Sequence, residues 1–264
     1  ICGLFFRRVP AGARLKGGTL KLEVYLMIPK IVHYCWFGHG EMPELAKNCI
    51  NSWKKYLPEY KLKLWNEDNF DLDLYPYVRE AYECRKFAFV TDVVRLYALY
   101  HDGGIYMDTD VEVLKPLDCL LGYDAVSGFE SSLQIPTGLI ACKQHNSLIK
   151  ELLDDYNNIH FRRNDGSLDL TTNVIRITEH LKNDGLQLNN KFQVVRGLTL
   201  FPSDYLCPKS IYDGKIYLTK NSLTIHHFAG SWHSPFRNRM RNIILKIGGY
   251  RLKAFIKFFL PKGV

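Results

Sequence analysis

Hydrophobic and polar positions follow one another along this chain in short blocks of period two or period 3.6. Residues 28–37 read as a buried first strand that runs into Gly38-His39-Gly40. Residues 43–56 set Leu45, Cys49, Ile50 and Trp53 at helical spacing, and Pro58 closes the helix. Residues 61–65 alternate cleanly, which predicts a second strand, and Asn66-Glu67-Asp68-Asn69 turns the chain. Residues 77–85 and 86–101 predict two helices; Phe89, Val93, Leu96 and Tyr100 form the apolar stripe of the second, and Gly103-Gly104 stops it. Residues 105–113 alternate and are rich in β-branched side chains, so they read as one strand. Further strands are expected at 125–129 and 138–142, helices at 147–157 and around 178–182, and a late hairpin or strand pair from 215–219 and 223–228.

Strands alternating with helices predict an α/β fold with a mixed, mostly parallel sheet flanked by helices. The 264 residues can bury a full core, and residues 27–236 are expected to form one domain. Met27 opens the first strand pattern, so residues 1–26 read as a non-native or upstream extension; they have neither the long apolar segment nor the cleavage site of a signal peptide. No run of about 18 apolar residues is present, so no membrane-spanning helix is expected.

The formal net charge of +8 changes meaning once it is divided along the chain. Residues 27–213 hold twenty Lys/Arg against twenty-six Asp/Glu, whereas residues 214–264 hold ten against none. An acidic body argues against a nucleic-acid groove, and a basic end argues for a local anionic contact. In residues 237–264, Lys246, Lys253 and Lys257 fall on one helical face, with Ile244, Ile247, Phe255 and Phe258 on or near another. This basic amphipathic extension suits an anionic membrane surface, and it equally suits a terminal helix docked on its own domain. Seven scattered cysteines without a Cys-x-x-Cys pair predict free thiols in a reducing compartment.

The chemistry centres on Asp108 and Asp110. On a strand, positions i and i+2 project from one face about 6 to 7 Å apart, so these carboxylates can share a hard cation. Mg²⁺ or Mn²⁺ in such a site keeps positions open for substrate phosphates. Asp92 and Arg95 lie three apart on the preceding helix and so share a face: they form either a local ion pair or a donor and acceptor set for sugar hydroxyls or phosphate. Far along the chain, His226-His227 precedes Phe228-Ala229-Gly230-Ser231-Trp232. One imidazole can complete a cation site, but adjacent histidines on a strand point to opposite sides, so at most one serves; the alternative is a strand end packed by Trp232. Trp36 is either a stacking platform or a core residue.

In this order, the segments at 28–38, 65–68, 87–95, 103–110 and 226–232 resemble glycosyltransferase family 32, the DXD-containing group that is similar to yeast initiating α-1,6-mannosyltransferases and to clostridial glucosylating toxin domains. The resemblance implies a GT-A fold, a nucleotide-diphosphate-sugar donor, Mn²⁺ or Mg²⁺, and retention of anomeric configuration. It implies that Trp36 stacks on the nucleobase, that Asp92 and Arg95 hold the donor sugar, and that Tyr106 belongs to the nucleotide-sugar site. Asp108 would contact ribose and cation, Asp110 the cation more directly, and His227 rather than His226 would be the third ligand, with Ser231 and Trp232 in a closing lid. The resemblance to bacterial members suggests capsule, O-antigen or other surface-glycan assembly, with a glycan or lipid-linked acceptor. That setting is cytoplasmic, peripheral to the inner face of the cell membrane. Two other classes compete: a nucleotide-sugar or glycan-binding module without catalysis, and a metal-dependent phosphohydrolase or nucleotidyltransferase, which usually needs further acidic ligands or a glycine-rich phosphate loop.

Overall fold

The computed structural model describes residues 27–130, 135 and 137–230. The expectations placed on residues 1–26, on Ser231 and Trp232, and on the extension at 237–264 fall outside the described residues.

The first strand, β1 (Ile31–Cys35), is followed by α1 (Glu44–Tyr56), β2 (Lys61–Trp65), α2 (Pro76–Glu83) and α3 (Phe87–Asp102). After α3 come β3 (Gly104–Met107), β4 (Val111–Val113), β5 (Ala125–Gly128), β6 (Leu139–Cys142) and α4 (Ser147–Asp154). The chain then forms α5 (Asn173–Asn183), β7 (Gln193–Val195), β8 (Leu198–Phe201), the single turn α6 (Ser203–Leu206) and β9 (Thr224–His226).

Seven strands pair in the order β2-β1-β3-β6-β5-β8-β7. The pairings are parallel for β1 with β2 and β3 and for β5 with β8, and antiparallel at β6 and β7. Five strands therefore run one way and two the other, the mixed and mostly parallel α/β sheet expected from the alternation. Period-two alternation separates two apolar layers. Tyr106, Ile140 and Cys142 face α2, α3 and α4 with Phe89, Val93, Leu96 and Leu152. Ile105, Met107, Leu139 and Ala141 face the other way, onto Ile50 and Trp53 of α1 and onto β4.

Two expectations are corrected. Residues 105–113 are not one strand: β3 belongs to the large sheet, and β4 leaves it to pair with β9 in a separate two-stranded sheet. The break falls at Asp108, Thr109 and Asp110, where the Val111 N–H bonds the Asp108 carbonyl at 2.9 Å in a tight turn. The late hairpin of 215–219 with 223–228 does not form either, because β9 takes β4 as its partner and Ile216 bridges Lys209. α1 is the clamp that draws β4 out of the main sheet. Its Trp53 Nε1 donates to the Val111 carbonyl at 2.7 Å, and its Ser52 hydroxyl accepts from the Val113 N–H at 2.9 Å.

β1, β3, β5 and β8 end on the same edge of the sheet. Trp36, Asp108, Glu130 and Ser203 follow directly or closely from those ends, where ligands of open α/β sheets bind. The sharp entry to β3 needs glycine. Gly104 has φ of 105°, and a Cβ there would lie 2.7 Å from the Ile31 carbonyl oxygen.

Candidate active site

The turn between β3 and β4 brings three ligand atoms together. One atom each from Asp108, Asp110 and His226 lies within 4.8 Å of the others. His226 Nε2 is 3.3 Å from Asp110 Oδ1 and 3.9 Å from Asp108 Oδ2. The separation expected from a flat strand is replaced by a turn that folds both carboxylates toward the imidazole. Asp110 Oδ2 accepts from the Ala229 N–H at 2.7 Å, and the Asp110 carbonyl accepts from the His227 N–H at 2.9 Å. The segment after β9 is thus tied to the second aspartate at both its backbone and its side chain.

The structure places His226, not His227, against the carboxylates. β4 and β9 pair with Val111 opposite His226 and Glu112 opposite Ile225. Glu112, Ile225 and His227 consequently share the far face, where His227 Nε2 meets Glu112 Oε2 at 2.9 Å. Only the partner of β9 decides which histidine points inward, and no local pattern in residues 225–228 carries that information. A Cβ on Gly138 would lie 2.8 Å from His226 Cε1, so the glycine makes room for the ring.

Beside this cluster, Arg95 is buried and central. Its Nη2 is 3.2 Å from Asp92 Oδ1 and 3.4 Å from Asp108 Oδ1, and its Nη1 donates to the Thr137 carbonyl at 2.7 Å. The guanidinium lies over the Tyr106 ring at 4.6 Å, and the Tyr106 hydroxyl donates to Asp108 Oδ1 at 2.9 Å. Asp92 and Arg95 therefore form the ion pair that their spacing allowed, and through Arg95 the pair also borders Asp108 of the cluster. Asn173, at the start of α5, completes the arrangement. Its N–H donates to Asp92 Oδ2 at 3.1 Å, its side-chain amide donates to the Asp92 carbonyl at 2.6 Å, and its Oδ1 accepts from Tyr156 at 2.7 Å. The sequence assigns no role to Thr137 or Asn173: their segments, 134–138 and 169–173, lack the motif forms expected of an acceptor cleft.

The electrostatics follow from burial against pairing. Burial pushes the Asp92 carboxyl up to about 6, with Arg95 opposing it. At Asp110, burial raises the carboxyl, but the His226 charge outweighs it and the pKa falls to about 2. Burial works against charging His226, yet Asp110 overcomes it and holds the imidazole well above its ordinary value. A proton on His226 thus answers the negative field of two carboxylates. A divalent cation answers the same field, and two carboxylate oxygens with one imidazole nitrogen are a donor set that suits Mn²⁺ or Mg²⁺.

Trp36 is half-buried at the end of β1; its N–H bonds the Trp65 carbonyl at 3.0 Å, and its Nε1 donates to the Gly40 carbonyl at 2.6 Å. Glu67 steadies the same loop by accepting from the Gly38 N–H at 2.5 Å and from Tyr82 at 2.9 Å.

Residues 43–127 match the family described as the glycosyltransferase sugar-binding region containing DXD motif, and that segment, which holds Asp92, Arg95, Asp108 and Asp110, belongs to it. The chain is 37% identical over 101 residues to inositol phosphoceramide mannosyltransferase 2 of Schizosaccharomyces pombe, a stretch that covers 37% of this chain and 29% of that protein. It is 28% identical over 230 residues to the uncharacterized glycosyltransferase L373 of Acanthamoeba polyphaga mimivirus, covering 78% of this chain and 84% of the relative. Among solved structures, the PaToxG glycosyltransferase aligns with 48% of this chain and 60% of its own at 21% identity and a TM-score of 0.43. The chain spans less than a third of the length of the fission-yeast mannosyltransferase it matches.

Proposed function

We propose that this protein is a retaining, metal-dependent glycosyltransferase that moves a hexose from a UDP- or GDP-sugar to a glycan or lipid-linked acceptor. The observation that carries the reading is the convergence of Asp108, Asp110 and His226 beside a buried Asp92–Arg95 pair, inside a sugar-binding region of the DXD type. The mannosyltransferase relatives favour a mannosyl donor as the first to test.

Asp108, Asp110 and His226 would hold Mn²⁺ or Mg²⁺, which supplies positive charge to the diphosphate as it leaves. Arg95, paired with a carboxylate on either side, fixes Asp92 and Asp108 in place. Asp92, held from behind by Asn173, offers carboxylate oxygens to the hydroxyls of the donor sugar. Trp36, at the end of β1, offers a ring to the base. In a front-face displacement, the anomeric carbon–oxygen bond to the diphosphate breaks while the acceptor oxygen forms its bond on the same face. The departing phosphate oxygen takes the acceptor's proton.

A role in surface-glycan assembly, at the cytoplasmic side of a membrane and aided by the basic extension at 237–264, fits a lipid-linked acceptor. The test is a screen of UDP- and GDP-sugars for Mn²⁺-dependent thermal stabilisation, followed by donor turnover. At least one donor should raise Tm only with Mn²⁺, and Asp110→Asn should abolish both the shift and turnover. Full turnover by Asp110→Asn at saturating Mn²⁺ would overturn the assignment.

A further inference from the structure

Lys215-Ile216-Tyr217-Leu218-Thr219-Lys220 is exposed throughout, and its three apolar side chains are 43%, 56% and 57% exposed in succession. Such a run on a surface needs a reason, because soluble proteins seldom present contiguous large apolar groups. It is also firmly built. Ile216 bridges Lys209, the Tyr217 N–H bonds the Pro208 carbonyl at 2.9 Å, and the Tyr217 hydroxyl donates to Asp213 at 2.6 Å. Thr219 Oγ1 donates to Asp204 at 3.0 Å, and Lys115 Nζ bonds the Lys220 carbonyl at 2.7 Å. The backbone is held while the apolar side chains stand out from it.

Charge selects the partner. Two exposed lysines bracket the apolar run, the nearby carboxylates of Asp204 and Asp213 are engaged by hydroxyl groups, and no acidic residue follows Asp213. The body before residue 214 is net acidic, so an anionic surface would be repelled there and attracted here. We infer that the loop at 215–220 is a docking lip for an anionic lipid bilayer, with Ile216 and Leu218 entering the headgroup layer and Lys215 and Lys220 meeting lipid phosphates.

The position of the lip gives docking a use. Tyr217 also lines a cavity of about 280 Å³, together with Glu130, Cys207 and Lys209. Cys207 neighbours His226, and Lys209 Nζ donates to the His227 carbonyl at 2.5 Å, so this cavity lies just behind the metal-type cluster. Docked by the lip, the protein turns that cavity toward the surface on which a lipid-borne acceptor resides, a consequence that rests on the glycosyltransferase reading.

The test is flotation of the whole 264-residue chain with vesicles of phosphatidylcholine alone and with 30% phosphatidylglycerol. The wild type should float with the anionic vesicles and not with the neutral ones. Ile216→Glu/Leu218→Glu should lose binding at least tenfold with its Tm unchanged, and Lys215→Gln/Lys220→Gln should weaken binding and flatten its salt dependence. Flotation of Ile216→Glu/Leu218→Glu at the wild-type level overturns the inference and assigns any membrane binding to other residues; absence of wild-type flotation overturns it as well. Mn²⁺-dependent nucleotide binding, measured on the same variants, should be unchanged, so failure of the lip and failure of the catalytic reading give different results.

Discussion

Arg95 is the residue on which the site's order rests. It neutralises Asp92 and Asp108 from a position that is only 4% exposed, so its removal strands two carboxylates rather than one. Breaking a buried pair from one side costs about 3–5 kcal/mol. Arg95→Ala should therefore lower the unfolding free energy by about that amount in urea titrations, and Arg95→Lys should recover part of the stability without the two-sided geometry of the guanidinium. His33 supplies a second prediction. Trp65 Nε1 can only donate, and at 3.1 Å it donates to His33 Nδ1, so the proton sits on Nε2 and is given to the Gly103 carbonyl at 2.8 Å. The ring is thus built into the fold as a neutral group, and burial lowers its pKa to about 4. The unfolded chain binds a proton near pH 6.5 that the folded chain refuses until about pH 4, so this contribution to stability is complete above 6.5 and is lost as pH falls toward 4. The loss is at most about 3 kcal/mol. Asp92, raised by burial, acts with the opposite sign over much of the same window. Urea midpoints of wild type and His33→Gln at pH 7 and 4.5 separate the two, and the variant should show the smaller fall on acidification.

At the scale of elements, most of the strands and helices were legible, because apolar spacing reports which face is buried. The stripe Phe89, Val93 and Leu96 is core, and the glycine pair ends α3 where expected. The error at residues 105–113 is instructive: β3 and β4 are each correctly apolar, but alternation continues through a turn that hands the chain from one sheet to another. That turn is enforced by Trp53 and Ser52, more than fifty residues earlier, so no window around Asp108 could show it. The same non-local pairing chose His226 over His227. Gly138 tests the arrangement from below. Gly138→Ala puts a methyl group 2.8 Å from His226 Cε1 and should displace the ring. We expect Mn²⁺-supported nucleotide binding to weaken at least tenfold in calorimetry, while Tm falls far less than for Arg95→Ala; unchanged affinity would show that the ring is free to yield.

For the whole molecule, the alternation of strands and helices drew the right outline, a mixed and mostly parallel α/β sheet, and Trp36 and Asp108 lie at the carboxyl ends of β1 and β3. The residues that gather at that edge come from four separate stretches, around Trp36, Asp92 to Asp110, Thr137 to Asn173, and His226. The motif-bearing stretches were legible and the third was not, since Thr137 contributes only a backbone carbonyl and Asn173 acts through a buried hydrogen bond to Asp92. Distance in sequence is what hides such partners. On the proposed function, Asp108, Asp110 and His226 would act together in holding one divalent cation for the donor diphosphate. The most direct measurement is Mn²⁺ binding in the presence of UDP and of GDP, followed by electron paramagnetic resonance, for wild type, His226→Ala and His227→Ala. His226→Ala should lose at least tenfold in Mn²⁺ affinity while His227→Ala stays within about twofold of wild type, each tenfold step being about 1.4 kcal/mol; loss in His227→Ala with His226→Ala unaffected would rule out His226 as the third ligand.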